Sequence, residues 1–234
     1  MLEQQPARAW RLVLEHIERD LLDGRLGPGD RLVSERDLAS ELGVGRSSVR
    51  EAFRVLEVMG LIRTATGSGP QSGAIVIATP TGGMSALLRL QVAAQGFPLA
   101  DVVQTRLVLE DAVVGAMAGS DEHDTARAHE LLEAMDAVDL APEEFLALDA
   151  QLHLSLAEGS GNTVIAAMMA GLRSSIESYV QGGVAAIADW DTMATRLRAE
   201  HHALVDAIDA GDADTARSLV RSHITGYYTQ ILTP

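Results

Sequence analysis

The chain has no cysteine and no lysine, few aromatic residues and no apolar run long enough to cross a bilayer. The missing cysteines exclude disulfides and thiolate metal sites. The missing lysines leave all eighteen basic positions to arginine, so any grip on an anion is a guanidinium grip. An aromatic content of 3% within a hydrophobic content of 47% points to helices packed through small side chains, not to aromatic-rich β structure. The N-terminus lacks an apolar signal region, so a cytoplasmic location is expected. There is no internal repeat and no long low-complexity tract. At 234 residues the length suits two ordinary domains.

Charge is unevenly shared. Residues 1–78 hold ten arginines against eleven acids, a net charge near −1, while the remainder holds eight arginines against twenty-two acids, near −14. The total of −15 excludes a general polyanion binder, whose affinity comes from many phosphate contacts. It leaves room for a specific reader of nucleic acid whose arginines gather on one face of the front segment.

That segment has such a face. In SERDLASELGVGRSSVREAFRVLEVMGLI, residues 34–62, Ser34 is an N-cap and Leu38 and Leu42 form one apolar stripe. Gly43 supplies the left-handed turn that stops the first helix. A second helix starts near Gly45, with Val49, Phe53 and Leu56 inward and Arg46, Ser47 and Arg50 elsewhere, near its N-terminus. A recognition helix presents its side chains to base edges from that end, where backbone amides also favour phosphate. A plain helical hairpin with a solvated arginine face fits this stretch equally well. Its flanks favour the first reading. Arg8 to Leu22 is an amphipathic helix with Leu14, Ile17 and Leu21 inward, and GRLGPGD is its turn. Leu61 to Thr64 and Ala74 to Ala78 are short strands around a polar tip. A helix-turn-helix followed by a hairpin is the winged-helix order.

From residue 84 every segment reads as helix, over 84–95, 99–118, 121–138, 142–159, 162–181, 189–210 and 212–231, with a linker at Thr79–Gly83. The connections are short, so an antiparallel all-α bundle is expected. Within it Asp149 and His153 share one helix face. His201 lies ten residues before Gly211 and His223 twelve after it. At 1.5 Å per residue they stand at similar heights, about 15 and 18 Å from the turn, and face each other if the helices are antiparallel. Three imidazoles and a carboxylate suit a divalent transition ion: zinc, nickel or manganese. Ordinary polar residues of a bundle are the alternative, and the one that holds for His16, His123, His129 and His202.

Both halves resemble one family. GRLGPGDRLVSERDLASELGVGRSSVREAFRVLEVMGLI resembles the winged-helix domain of the GntR family, in its FadR-type subfamily. The resemblance implies DNA contacts by Arg36, Arg46, Arg50 and the wing glycine Gly67, with Ser47 and Ser48 as a phosphate-binding hydroxyl pair. Val33 stands where proline is usual, and Gly45 replaces a capping Ser or Thr, which removes one hydroxyl. FLALDAQLHLSLAEGSGN and EHHALVDAIDAGDADTARSLVRSHI resemble the FCD ligand-binding domain. That resemblance makes Asp149, His153, His201 and His223 metal ligands. It also implies that Arg106, in RLVLE, faces an effector and that Asn162 lies near its pocket. Read without the family, Arg106 makes a helix-surface ion pair with Glu110, and Asn162 is an N-cap.

The domain plan is thus a winged helix over 1–78, a linker over 79–83 and a metal- and effector-binding dimerisation bundle over 84–234. TATGSGPQSG, ADW and HITGYY are most similar to a lactate-utilisation repressor subgroup. The resemblance implies a homodimeric repressor of double-stranded, near-palindromic operator DNA, not an enzyme, with a small carboxylate such as L-lactate as effector. A metal sensor, in which the ion is the signal, and a metal-dependent enzyme that activates water are the alternatives; no general base stands out for the second.

Overall fold

The computed structural model describes residues 6–65, 73–77, 80–94, 96–183, 187 and 189–232. The chain divides into two compact units, Met1–Met84 and Ser85–Pro234. Its described residues form ten helices and one two-stranded sheet. None of these helices is long and apolar enough to cross a membrane.

In the first unit α1 spans Pro6–Leu22, α2 Glu35–Leu42 and α3 Arg46–Val58, followed by β1 at Ile62–Ala65 and β2 at Gly73–Val76. The local chemistry acts as its residue types require. The Ser34 hydroxyl accepts from the Asp37 amide at 3.2 Å, and Gly43 ends α2 at φ 64°. Gly45 caps α3 with no side-chain bond, so the expected loss of a hydroxyl is real. Val49, Ala52, Phe53 and Leu56 on α3 are buried with Val13 and Ile17 of α1. Leu14 and Leu21 are only partly buried, which moves the inward stripe of α1 toward Val13. The strands are antiparallel, pairing Ile62 with Val76 and Ala65 with Gly73. Arg31 bridges to Ile75, and the Leu32 amide donates to the Ala74 carbonyl at 2.9 Å, tying the approach to α2 onto the hairpin.

The second unit is an all-α bundle. Its helices are α4 (Pro80–Ala93, whose first residues belong to the first unit), α5 (Leu99–Ala118), α6 (Ala126–Met135), α7 (Pro142–Gly159), α8 (Thr163–Gly183), α9 (Trp190–Asp209) and α10 (Ala213–Leu232). Residues 80–83, expected as linker, form the first turn of α4. Helix α6 is shorter than expected because polar residues ahead of it bond locally. The Ser120 carbonyl meets His123 Nδ1 at 2.6 Å, and the Asp124 side chain accepts from the Ala126 amide at 3.0 Å. Helix α10 packs against α5 and α9, and α7 against α6 and α8. Gly211, at φ 73°, makes the tight turn after α9. Asp212 then starts α10 by accepting from the Thr215 amide at 3.1 Å. Phe145, Leu152 and Ile208 are fully enclosed in the core, each burial worth about 1.5–3 kcal/mol.

A candidate nucleic-acid face and a candidate metal centre

On the first unit, Arg46, Arg50 and Arg54 recur every four residues along one side of α3 and are exposed. With Arg36 they line a concavity of about 830 Å³, floored by Phe53 and edged by Thr64 and Ala74. Two acids share it. Arg50 pairs with Glu35 at 3.0 Å, and the Thr64 hydroxyl donates to Glu57 at 2.6 Å. Arg36, 79% exposed, pairs with Asp37 at 3.2 Å. Ser47 is exposed, whereas Ser48 is 8% exposed and turned toward the core, so it offers little hydroxyl to a phosphate. Gly67 lies outside the described residues. Arg54 is the cation that motif matching overlooked, although its spacing from Arg46 and Arg50 announces it.

In the second unit, α7 carries Asp149 and His153, α9 carries His201 and α10 carries His223, all buried. One ligand atom from each lies within 4.8 Å of the others. His223 Nε2 is 3.2 Å from His153 Nε2 and 3.3 Å from His201 Nε2. Asp149 Oδ1 is 3.0 Å from His201 Nε2.

The rings' far edges decide what those tips are. His223 Nδ1 is 2.9 Å from Glu200 Oε2, and His153 Nδ1 is 2.5 Å from Glu110 Oε2. A carboxylate only accepts, so the His223 ring donates from Nδ1 and its Nε2 is a bare lone pair; Glu110 Oε2 draws the His153 proton to Nδ1 likewise, although that contact lacks hydrogen-bond geometry. Two lone pairs at 3.2 Å repel unless a cation lies between them. Two nitrogens bound to one ion at 2.0–2.1 Å stand about 3.3 Å apart at a tetrahedral angle, so the spacing fits a shared ion. His201 Nδ1 is buried without a partner among the described residues.

Electrostatics agrees. Burial, helped by the neighbouring His201, pushes His223 down to about 4, so it is neutral near pH 7. Burial works against the Asp149 charge, but the His201 hydrogen bond and the surrounding imidazoles outweigh it and hold the carboxyl well below its usual range. Bare imidazole nitrogens and an ionised carboxylate are the ligand forms a divalent ion requires, so His201 Nε2, which donates to Asp149 here, would pass its proton to the unpartnered Nδ1 on binding one.

Beside the cluster, Arg106 Nε meets Glu110 Oε1 at 2.5 Å, with both side chains 4% exposed. The pair expected on the helix surface is therefore buried. Burial again opposes the Glu110 charge, and Arg106 and then His153 overcome it, leaving that acid at about 2. Arg106, His153 and Arg173 line a cavity with Ala150, Leu154, Met169 and Ile176 whose free volume is about 10 Å³. Asn162 is not among its lining. It is exposed, and its Oδ1 accepts from the Val164 and Ile165 amides at 3.2 Å, which is the N-cap role. The other histidines pair on the surface: His16 with Asp20, His123 and His129 with Asp209, and His202 with Asp136. The carboxylates holding His153 and His223 escaped the sequence reading.

Residues 11–70 match the family described as bacterial regulatory proteins, gntR family, and residues 101–226 match the FCD domain. The chain is 28% identical over 205 residues to the HTH-type transcriptional regulator LutR of Bacillus subtilis (strain 168), covering 87% of this chain and 92% of that one. It is 28% identical over 225 residues to an Escherichia coli (strain K12) protein named as regulating an L-lactate dehydrogenase operon, covering 96% and 86%. The HTH-type transcriptional repressor NanR of Escherichia coli (strain K12) is also 28% identical, covering 91% of this chain and 80% of that one. A Streptococcus agalactiae GntR structure superposes with a TM-score of 0.59 at 22% identity, over 96% of this chain and 100% of that one, a likeness of fold. The matched families and these relatives are transcription regulators, not enzymes.

Proposed function

We propose that this chain, which belongs to the gntR family of bacterial regulatory proteins and carries an FCD domain, is a cytoplasmic repressor that a small carboxylate controls through a buried metal centre. That it is a DNA-binding transcription regulator follows from the family itself; the metal, the carboxylate and the direction of control are what we propose beyond that. One observation carries it: two lone pairs, His153 Nε2 and His223 Nε2, face each other at 3.2 Å beside an ionised Asp149.

Asp149, His153, His201 and His223 would hold the ion, zinc in the first instance, with nickel or manganese suiting the same donors. When bound, such an ion supplies Lewis acidity toward the oxygens of a small anion. Arg106 supplies a second positive charge on the same cavity. L-lactate is the first candidate, since its carboxylate and hydroxyl offer adjacent oxygens and one relative is named for an L-lactate dehydrogenase operon. A repressor is the natural direction, since another relative is titled one.

The cavity supports a switch. Its free volume of about 10 Å³ is room for roughly one water, so an anion of three carbons must displace lining residues of α5, α7 or α8. Binding energy is then spent on moving helices, and an effector that prefers the displaced arrangement shifts the population toward it. At the front, Arg46, Arg50 and Arg54 would enter the major groove while Arg36 and Ser47 hold phosphates. One winged unit per chain reads one half-site, so two chains on a near-palindrome are expected.

The test is a gel-shift titration of operator DNA with metal-free, zinc-loaded, and zinc-plus-L-lactate protein. Release that needs both zinc and L-lactate supports the reading, and release by zinc alone makes the ion itself the signal. His201→Ala should abolish the lactate response; if that variant still responds, the centre is not where the effector acts.

A further inference from the structure

The metal cluster is braced by two copies of one local arrangement. Arg106-Leu-Val-Leu-Glu110 on α5 and Arg196-Leu-Arg-Ala-Glu200 on α9 each set an arginine four residues before a glutamate, on one helix face. In each, the two carboxylate oxygens are divided between the arginine and an imidazole of the cluster. Glu110 lies 2.5 Å from Arg106 Nε through Oε1 and 2.5 Å from His153 Nδ1 through Oε2. Glu200 lies 3.3 Å from Arg196 Nε through Oε1 and 2.9 Å from His223 Nδ1 through Oε2. Each carboxylate fixes the proton on Nδ1 and so aims the Nε2 lone pair inward.

The copies differ in surroundings. The α5 pair is sealed at 4% exposure on both side chains, and its arginine lines the small cavity. The α9 pair is 34% and 29% exposed, and its arginine is not among the cavity's lining. We infer that Glu110 and Glu200 are positioning residues for the metal centre, and that Glu110 has the larger effect on anion affinity, because it seats Arg106 as well as His153. This rests on the metal-and-anion reading above.

The experiment uses the full chain. Zinc affinity is measured by chelator competition, and L-lactate affinity by calorimetry at saturating zinc. Glu110→Gln and Glu200→Gln should each weaken zinc by roughly 10–100-fold, the usual cost of losing such an outer partner. Glu110→Gln should also weaken L-lactate by roughly 5–150-fold, the size of a typical coupling, and by clearly more than Glu200→Gln does. With cobalt(II) in place of zinc, the visible absorption bands should shift in both variants, which a merely structural role would not produce. Because Glu110→Gln strands a buried guanidinium, the double variant Arg106→Gln/Glu110→Gln, which removes both charges, serves as a second probe and should still lose zinc affinity. Parent-like zinc binding in the variants, or equal loss of L-lactate in Glu110→Gln and Glu200→Gln, overturns the inference alone. A parent chain that takes up no zinc overturns the metal reading and the inference with it. A parent that binds zinc but not L-lactate overturns the anion half.

Discussion

The two units handle the same ion pair in opposite ways. On the front unit Arg50 meets Glu35 at 3.0 Å in the open, 53% and 30% exposed, where water screens the attraction and either partner is released at little cost. In the bundle Arg106 meets Glu110 at 2.5 Å with 4% exposure on each side, where separating the charges strands one away from water. The difference teaches how one residue type serves two tasks. An exposed arginine can exchange its carboxylate for a phosphate or a guanine edge as DNA arrives. A buried one holds its place and makes the site's charge part of the fold.

The comparison breaks most visibly if the buried glutamate is removed. Glu110→Ala should destabilise the metal-free protein by about 3–5 kcal/mol in urea unfolding, the cost of leaving a lone buried charge; a loss under about 1 kcal/mol would mean that water reaches Arg106. Next comes the exposed cation itself. Arg50→Ala should weaken operator binding by about 1–3 kcal/mol at fixed salt and relax one base preference, read by competition among operator variants.

Acid tests the buried side again, through His223. Its folded pKa of about 4 lies below the ordinary 6.5, so the unfolded chain takes up a proton first. The contribution is therefore complete above pH 6.5 and declines as pH falls from 6.5 toward 4. Urea unfolding of the metal-free protein should show a loss of about 1–2 kcal/mol between pH 7.5 and 5.5 from this group; stability that rises on acidification would reverse the assignment. The smallest effect belongs to the exposed acid. Glu35→Ala should alter stability by no more than about 1 kcal/mol, and a larger change would show that the surface pair is structural.

Much of this was legible in the chain because the signals are local. Ser34 as cap, Gly43 as stop and the four-residue step from Asp149 to His153 are properties of neighbours along one helix. Even the pairing of His201 with His223 follows from counting rises back to Gly211. What stayed hidden depends on direction and on contacts between helices. The step from Arg106 to Glu110 announces an ion pair, but α5 is apolar on several sides, so the spacing cannot say that the pair faces inward. Ser47 and Ser48 look alike in sequence, and the α3 helix turns one outward and the other toward Val49 and the core. Glu200 precedes His201 yet holds His223, a partner twenty-three residues on, which only the fold brings near. Residues 80–83 of the expected linker open α4, where Pro80 occupies the first helical position, at which its missing amide is harmless.

If the proposed anion enters the cavity beside Arg106, whose free volume is scarcely that of a single water molecule, the same tightness would govern timing too. The guest then waits for the walls to part, so capture is paced by that opening once the guest is plentiful, and the rate levels off with concentration. The same doorway delays escape. A regulator built this way averages over brief dips in its metabolite and answers to sustained supply.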